Sequence, residues 1–420
     1  MRIIADLHVH TGYSRATSRE MTLENMALWA ARKGIDLLGT GDFTHPAHMA
    51  AIEEKLEPAE PGLYVLSGVS GPAASVRYML TAEVSNIYRQ DGRTRKIHTL
   101  IFVPSVEAAR RLNSTLAALG NIRSDGRPIF GFSARDLVKI VLDASDEAMV
   151  VPAHAWTPWF SIFGSRSGFD SIEECFGEWS PRIRAIETGL SSDPPMNRRI
   201  SALDGITLIS NSDAHSPSKL GREANVLDCG LDYRSVTSAL SGEGPGRLLY
   251  TIEYYPEEGK YHYDGHRGCG VLYAPKRTRE MEGRCLVCGA EVTVGVMSRV
   301  EELADRSEEE VAAMDVPARR LVPLQEILAE VLGRGPATKA VTKEYLRLVD
   351  EAGGEFALLL DMDRDDIEKM AGPRVAEAVS RVRSGRINVR PGFDGEFGKI
   401  SIFDPLEPPL PKPPPQPTLF

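Results

Sequence analysis

At 420 residues the chain exceeds the usual size of one domain, and a hydrophobic fraction of 42% can fill a substantial core. A formal net charge of −10 excludes general adhesion to nucleic acid through bulk charge, though not a local basic groove. No apolar run reaches the roughly eighteen residues of a membrane span, and Arg2 and Asp6 bracket the first apolar stretch. The expectation is a cytoplasmic protein without a signal peptide or membrane contact.

Taken in order, Ile3-Ile4-Ala5 reads as a short buried strand leading into Asp6-Leu7-His8-Val9-His10. Histidines two apart on a strand share a face, so both imidazoles can meet one metal. Thr22 is placed to cap a helix carrying Leu23, Met26, Ala27 and Ala30 and ending near Gly34. Ile35 to Thr40 is the next strand, closed by Gly41-Asp42-Phe43-Thr44-His45. Further strands are expected at Met79–Ala82, His98–Val103, Ala148–Pro152, Ile183–Glu187 and Ile206–Ser210, with Ser133 and Asp170 as helix caps between them. This alternation predicts an α/β architecture with a largely parallel sheet or barrel, whose site lies at the carboxyl ends of the strands.

Metal-competent side chains sit where those strands terminate. Asp42 and His45 follow the second strand, Glu83 the third, His154 the Val150–Ala153 strand, and Asp213 and His215 the Leu208–Ser212 run; His98 opens its own strand. The chain has nine histidines. All but two precede residue 216, and of these only His48 falls outside a strand end, as an expected surface residue. Such a concentration points to a metal centre, and Asp6 is a candidate for orienting one of its histidines.

At these residues the first 230 or so positions resemble the polymerase and histidinol phosphatase (PHP) superfamily, a distorted β/α barrel of metal-dependent phosphoesterases. The resemblance implies that His8, His10, Glu83 and Asp213 hold one metal. Glu83 would bridge to a second, held also by His98 and His154. The superfamily's third site is incomplete here, because Thr11–Arg19 contains no histidine and Phe43 replaces another. His215 with Asp42 or His45 is the remaining candidate set. Two or three divalent ions (Zn, Mn, Fe or Mg) are thus implied, with histidine-rich ligation favouring the first three over Mg. Such ions polarise a phosphoryl oxygen and activate water, which implies phosphoester hydrolysis with His8, His10, Glu83 and Asp213 catalytic.

Near residue 256 the composition changes, and His266-X2-Cys269 and Cys285-X2-Cys288 have the spacing of a zinc ribbon holding one structural Zn. His262 is an alternative to His266, and a redox Cys-X-X-Cys is the alternative to zinc. Cys175 and Cys229 read as buried thiols. Arg299-Val-Glu-Glu-Leu-Ala-Asp-Arg306, Pro391-Gly-Phe-Asp-Gly-Glu-Phe-Gly398 and Gly39-Thr-Gly-Asp-Phe-Thr-His-Pro46 together resemble the endonuclease Q family over nearly the whole chain. That family is a PHP nuclease with a zinc unit and a helical C-terminal part. The resemblance implies nicking of DNA on the 5′ side of deaminated bases (uracil, hypoxanthine, xanthine) or abasic sites. The expected organisation is a PHP barrel over 1–255, a zinc ribbon over 256–298, a helical DNA-binding region over 299–404, and a proline-rich tail over 405–420.

Local basic surpluses fit a DNA partner: Arg89, Arg93, Arg95 and Lys96; Arg267 to Arg284; and Arg374, Arg381, Arg383, Arg386 and Arg390. Their alternative is a solvated face. Trp156 and Trp159, with Phe160 and Phe163, follow His154 and are candidates to stack on a displaced base or wedge the duplex, the alternative being core packing for at least two of the four. Residues 308–390 read as helices, with Val375, Val379 and Val382 on one apolar stripe and breaks at Gly353-Gly354 and Gly372-Pro373. The tail ends in Gln416-Pro-Thr-Leu419-Phe420 behind a polyproline tether, and resembles the bacterial sliding-clamp-binding pentapeptide. Two rivals share parts of this pattern: a small-molecule phosphatase of the histidinol-phosphatase kind, and a non-catalytic DNA or clamp adaptor.

Overall fold

A computed structural model describes residues 1–404. The clamp-like peptide Gln416, Leu419 and Phe420 lies outside the described residues. The chain divides into two compact units. One comprises Met1–Leu321 with Arg390–Lys399, and the other begins at Val322, runs to Val389 and resumes at Ile400.

The first unit is built on strands β1 (Arg2–Asp6), β2 (Leu37–Gly39), β3 (Arg77–Gln90), β4 (Arg93–Val103), β5 (Met149–Pro152), β6 (Ala185–Glu187) and β7 (Thr207–Ile209). β1, β2 and β3 are parallel neighbours, β3–β4 and β4–β5 are antiparallel, and β6–β7 is parallel. The Ala155 N–H donates to the Glu187 carbonyl and so links the exits of β5 and β6. A bridge between Val9 and Ala214 returns the chain beyond β7 to that beyond β1, which closes a distorted barrel. Two outer strands, β8 (Ala224–Asp228) and β9 (Arg247–Glu253), extend the sheet antiparallel from β1. Ile3, Ala5, Leu7, Leu37, Met79, Leu100, Phe102, Val151 and Ile209 fill the centre.

The α/β class and barrel agree with the sequence, but the sheet is mixed, not largely parallel. The reason lies in one hairpin. Asp91 (φ 51°) and Gly92 (φ 75°) form a two-residue turn that matches the strand twist and forces β3 and β4 antiparallel. Much of each strand is buried on both faces, so the alternation that marks a hairpin in sequence is missing. His98 consequently lies inside β4 instead of opening it.

Local capping follows the sequence with one displacement. The Thr22 hydroxyl accepts from the Asn25 N–H at the start of the Leu23–Lys33 helix, and left-handed Gly34 (φ 83°) ends it. Ser133 forms a capping box with Asp136. Ser171, not Asp170, caps Ile172–Phe176. Asp170 pairs with Arg299 instead.

That contact is one of several that tie the chain beyond residue 298 into the first compact unit, which runs to Leu321. Arg299 also donates to the carbonyls of Phe163 and Phe169, Arg306 binds Asp204, and Arg320 binds Asp193. The segment 299–321 is therefore stitched to the barrel. Within the second unit, Val375, Val379 and Val382 are all buried, as their spacing predicts. Buried Glu355 accepts from the Leu324 N–H and the Tyr345 hydroxyl. Among the described residues, no helix is long and apolar enough to cross a membrane.

Candidate metal centre

Two ligand groups meet at the barrel mouth. His8, His10 and Asp213 form one, and Glu83, His98 and His154 the other; within each, the ligand atoms lie within 4.8 Å of one another. His98 pairs with Ser85, two residues beyond Glu83, so both side chains leave the same face of the hairpin. The Glu83 carboxylate stands between the groups. Its Oε2 is 3.2 Å from His10 Nε2 and 3.7 Å from His8 Nε2, while its Oε1 is 2.8 Å from His98 Nδ1 and 3.1 Å from His154 Nε2.

Buried His8 Nε2, His10 Nε2 and Asp213 Oδ1 have no hydrogen-bond partner of acceptable geometry. Each unmet polar atom would cost about 1–3 kcal/mol. Three of them converging, beside a carboxylate, fit a divalent cation by burial and by donor type.

Supporting groups fix the imidazoles. Glu187 reaches His8 Nδ1 with both oxygens at 3.0 Å and also accepts from the His154 N–H and the Asn211 amide. Asp42 accepts from His10 Nδ1 at 3.0 Å and from Thr11 and Ser14. With Nδ1 protonated against a carboxylate, each Nε2 presents its lone pair to the centre. Burial works against the ionised Asp42, but His10 and the Thr11 hydrogen bonds pull its pKa down to about 2. Burial likewise opposes charge on Glu83, which His98, Arg127 and His8 outweigh, so it stays well below the usual range. Arg127 donates to Glu83 Oε2 at 2.9 Å.

Asp42 (φ 44°), His154 (φ 30°) and Asp213 (φ 46°) are non-glycine residues in the left-handed region, each just beyond a barrel strand. Such strain, about 1–3 kcal/mol per residue, persists only where packing imposes it. Gly41 shows the packing. It has φ 62°, and a Cβ there would lie 2.3 Å from the Val9 carbonyl oxygen. Only glycine lets the exit of β2 approach β1 closely enough for Asp42 to reach His10.

The remaining candidates are placed elsewhere. His45 donates to the Arg123 carbonyl and stacks on Tyr13, away from both groups. His215 lies 4.7 Å from His10, ring to ring, and its Nδ1 donates to the Asp213 carbonyl. Among the described residues, neither they nor Asp42 complete a third group. His48 is buried and donates to the Thr40 carbonyl, so the surface expectation fails. Asp6 accepts from the Ser212 and Gly221 N–H groups; it fastens the loop beyond β7 and orients no histidine.

In the ribbon, His266, Cys269, Cys285 and Cys288 converge, whereas buried His262 stays outside the group. The N–H groups of Cys288 and Val287 overcome burial and bring the Cys285 thiol down to about 6. A thiolate-ready sulfur in a four-residue set fits structural zinc. Cys175 and Cys229 are buried, as expected.

Comparison with known proteins agrees with this architecture. The chain is 31% identical to YqxK of Bacillus subtilis over 411 residues, which is 95% of this chain and 99% of that one. The crystal structure of the lesion-specific endonuclease PfuEndoQ from Pyrococcus furiosus superposes with a TM-score of 0.84 at 32% identity, covering 95% of both chains. The chain belongs to the endonuclease Q family.

A second endonuclease Q structure, in complex with a 27-mer duplex substrate carrying an abasic lesion at the active site, matches with a TM-score of 0.82 at 31% identity, over 95% of this chain and 96% of that one. MJ0043 of Methanocaldococcus jannaschii is 33% identical over 257 residues, 59% of this chain but 31% of that longer protein. The family described as MJ0043 C-terminal domain matches residues 323–386, nearly the span of the helical unit.

Set against a DNA-cutting family, the basic and aromatic candidates separate clearly. Arg89 and Arg93 are exposed at the end of the β3–β4 hairpin. Arg95 is buried, donates to the Gly168 carbonyl and lies over Phe169, so it is a structural residue. Arg383 is committed to the Leu358 and Leu359 carbonyls, and Arg381 to Glu377 and the Phe403 ring. Arg386 is exposed. Trp156 is 1% exposed with its indole N–H on Asn197, which removes it from stacking on a base; Phe163 is buried beside it. Trp159 is 40% exposed. Glu187 and Arg127 contact the candidate centre and were not singled out by the sequence; Glu187's only signal was its place at the end of an expected strand.

Proposed function

We propose that this chain is a metal-dependent DNA repair endonuclease that nicks the phosphodiester 5′ to deaminated bases (uracil, hypoxanthine or xanthine) or abasic sites. One observation carries the reading: Glu83 stands between two groups of metal-competent side chains, in the first of which the buried Nε2 atoms of His8 and His10 lack partners, in a chain akin to a lesion-specific endonuclease over 95% of its length. Divalent ions bound there supply Lewis-acid polarisation of the phosphoryl oxygen and activation of water. His8, His10 and Asp213 would hold one ion, His98 and His154 a second, and Glu83 both. The chain's own residues do the positioning. Glu187 and Asp42 hold His8 and His10 in the ligating tautomer, and Arg127 keeps Glu83 ionised while adding positive charge where a phosphate must dock. Zinc at His266, Cys269, Cys285 and Cys288 holds the ribbon. A cytoplasmic location, and a sliding clamp engaged through Gln416, Leu419 and Phe420, complete the proposal on sequence grounds alone.

The test uses duplexes with one uracil, hypoxanthine or abasic site, with Mn²⁺ or Mg²⁺, read for scission on the 5′ side. Scission at the lesion supports the reading. Failure on every damaged duplex, together with hydrolysis of histidinol phosphate, would replace it with a small-ester phosphatase. DNA binding with neither activity would replace it with an adaptor.

A further inference from the structure

The loop closing the first unit holds one phenylalanine in and one out. Phe393 is 4% exposed, whereas Phe397 is 69% exposed. The loop is firmly seated: the Gly392, Gly398 and Gly395 N–H groups donate to the carbonyls of Glu257, Glu258 and Lys260 at 2.8–3.1 Å. Asp394 accepts from the Arg267 N–H and the Thr293 hydroxyl. A Cβ on Gly398 would lie 2.1 Å from the Glu257 carbonyl oxygen, so the backbone is pressed flat against that segment. A large apolar side chain held out on a rigid, well-bonded loop is placed to bury its surface against an external partner without any loop rearrangement.

Neighbouring groups indicate what that contact is. The Lys260 ammonium lies 4.4 Å from the Phe397 ring centroid, and the next residue, Tyr261, meets exposed Trp159 edge-on at 5.9 Å. Phe160, adjacent to Trp159, packs on the ligand histidine His98 at 4.6 Å and lies 5.2 Å from the Lys96 ammonium. Aromatic side chains, with an ammonium group at each end, thus mark a way from the candidate centre out to Phe397. Rings stack on bases and ammonium groups meet phosphates, the pattern of a surface that receives an unstacked strand.

We infer that Phe397 is a wedge that enters the base stack of duplex DNA beside the lesion and fills the gap as the nucleotide leaves the helix. Lys260 and Lys96 then meet the flanking phosphates, and Trp159 lies along the displaced strand. Inserted apolar side chains elsewhere open base steps in this way. The inference rests on the endonuclease reading above.

The test compares full-length wild type, F397A and F397W on an abasic duplex and on the same lesion in a single strand, where no stack needs opening. A second readout is the fluorescence of 2-aminopurine next to the lesion, measured with Ca²⁺. F397A is expected to lose roughly ten- to hundredfold in duplex nicking, the order of one stacked base, with at most about a threefold change on single strands. It should also lose the fluorescence rise, and F397W should restore both. Equal loss on both substrates, no loss on the duplex, or a change of oligomeric state in F397A would overturn the wedge. Wild type that raises the fluorescence but nicks nothing would overturn the nuclease reading and leave the wedge standing. Wild type that does neither would overturn both.

Discussion

Glu187 grips His8 Nδ1 with both carboxylate oxygens at 3.0 Å, from a strand 179 residues further along the chain. The same carboxylate accepts from the His154 N–H, so one buried residue supports members of both candidate ligand groups.

E187Q keeps the shape but removes the charge that fixes the His8 tautomer. Groups in this role are worth about 10–100-fold in metal affinity or activity. The variant should need correspondingly more Mn²⁺ for half-maximal nicking and recover at high metal. H8A, which removes a ligand outright, should stay inactive at any Mn²⁺ concentration while keeping its circular dichroism spectrum. Equal Mn²⁺ dependence of E187Q and wild type in a nicking titration would remove this role.

These two residues also show which parts of the site are legible in sequence. His8 and His10 announce themselves because strand periodicity puts both on one face. Glu83, His98 and His154 come together only through the register of three antiparallel strands, and the superfamily resemblance supplied their grouping. Glu187 ends an ordinary apolar strand, and that position is its only signal. The loop Trp156–Phe163 has no period, so nothing in the sequence told buried Trp156 from exposed Trp159. His45 looked like a ligand because it follows Asp42, yet a turn that aims Asp42 inward sends His45 to the Arg123 carbonyl.

The zinc proposed for His266, Cys269, Cys285 and Cys288 has a test of its own. C288S removes one sulfur from a closed four-ligand set, and structural zinc typically contributes about 10–16 kcal/mol of binding energy to folding. The variant should bind less than one zinc at the ribbon, measured by metal release to a chromophoric chelator after thiol modification. Its melting should lose a transition or shift down by several degrees. A full complement of zinc in C288S would remove Cys288 from the set.

The tail prediction separates recruitment from chemistry. Deleting Gln416–Phe420 should abolish binding to a bacterial sliding clamp in a pull-down or surface-plasmon measurement. Nicking of naked damaged duplex should stay within about twofold, because none of the residues proposed for catalysis lies there. Clamp binding that survives the deletion would dismiss the peptide, whatever happens to nicking.

Behind Glu187 lie two more buried carboxylates, Glu223 and Glu253, each with one oxygen lacking a hydrogen-bond partner. Burial first, then Glu253 and Glu187, push Glu223 well above the usual carboxylate range. Burial and Asp193 do the same to Glu253, against the hydrogen bond from Thr188. A carboxyl whose folded pKa exceeds its unfolded value of about 4.3 contributes its full stability below that value. The contribution declines as pH rises toward the folded pKa, because the unfolded chain releases the proton first. E253Q supplies a neutral side chain of the same shape and removes that penalty. Its melting temperature should therefore exceed that of wild type by more at pH 8 than at pH 5, in thermal unfolding at fixed metal concentration. A gap that is constant with pH, or that widens on acidification, would mean that Glu253 is ionised in the folded protein at neutral pH.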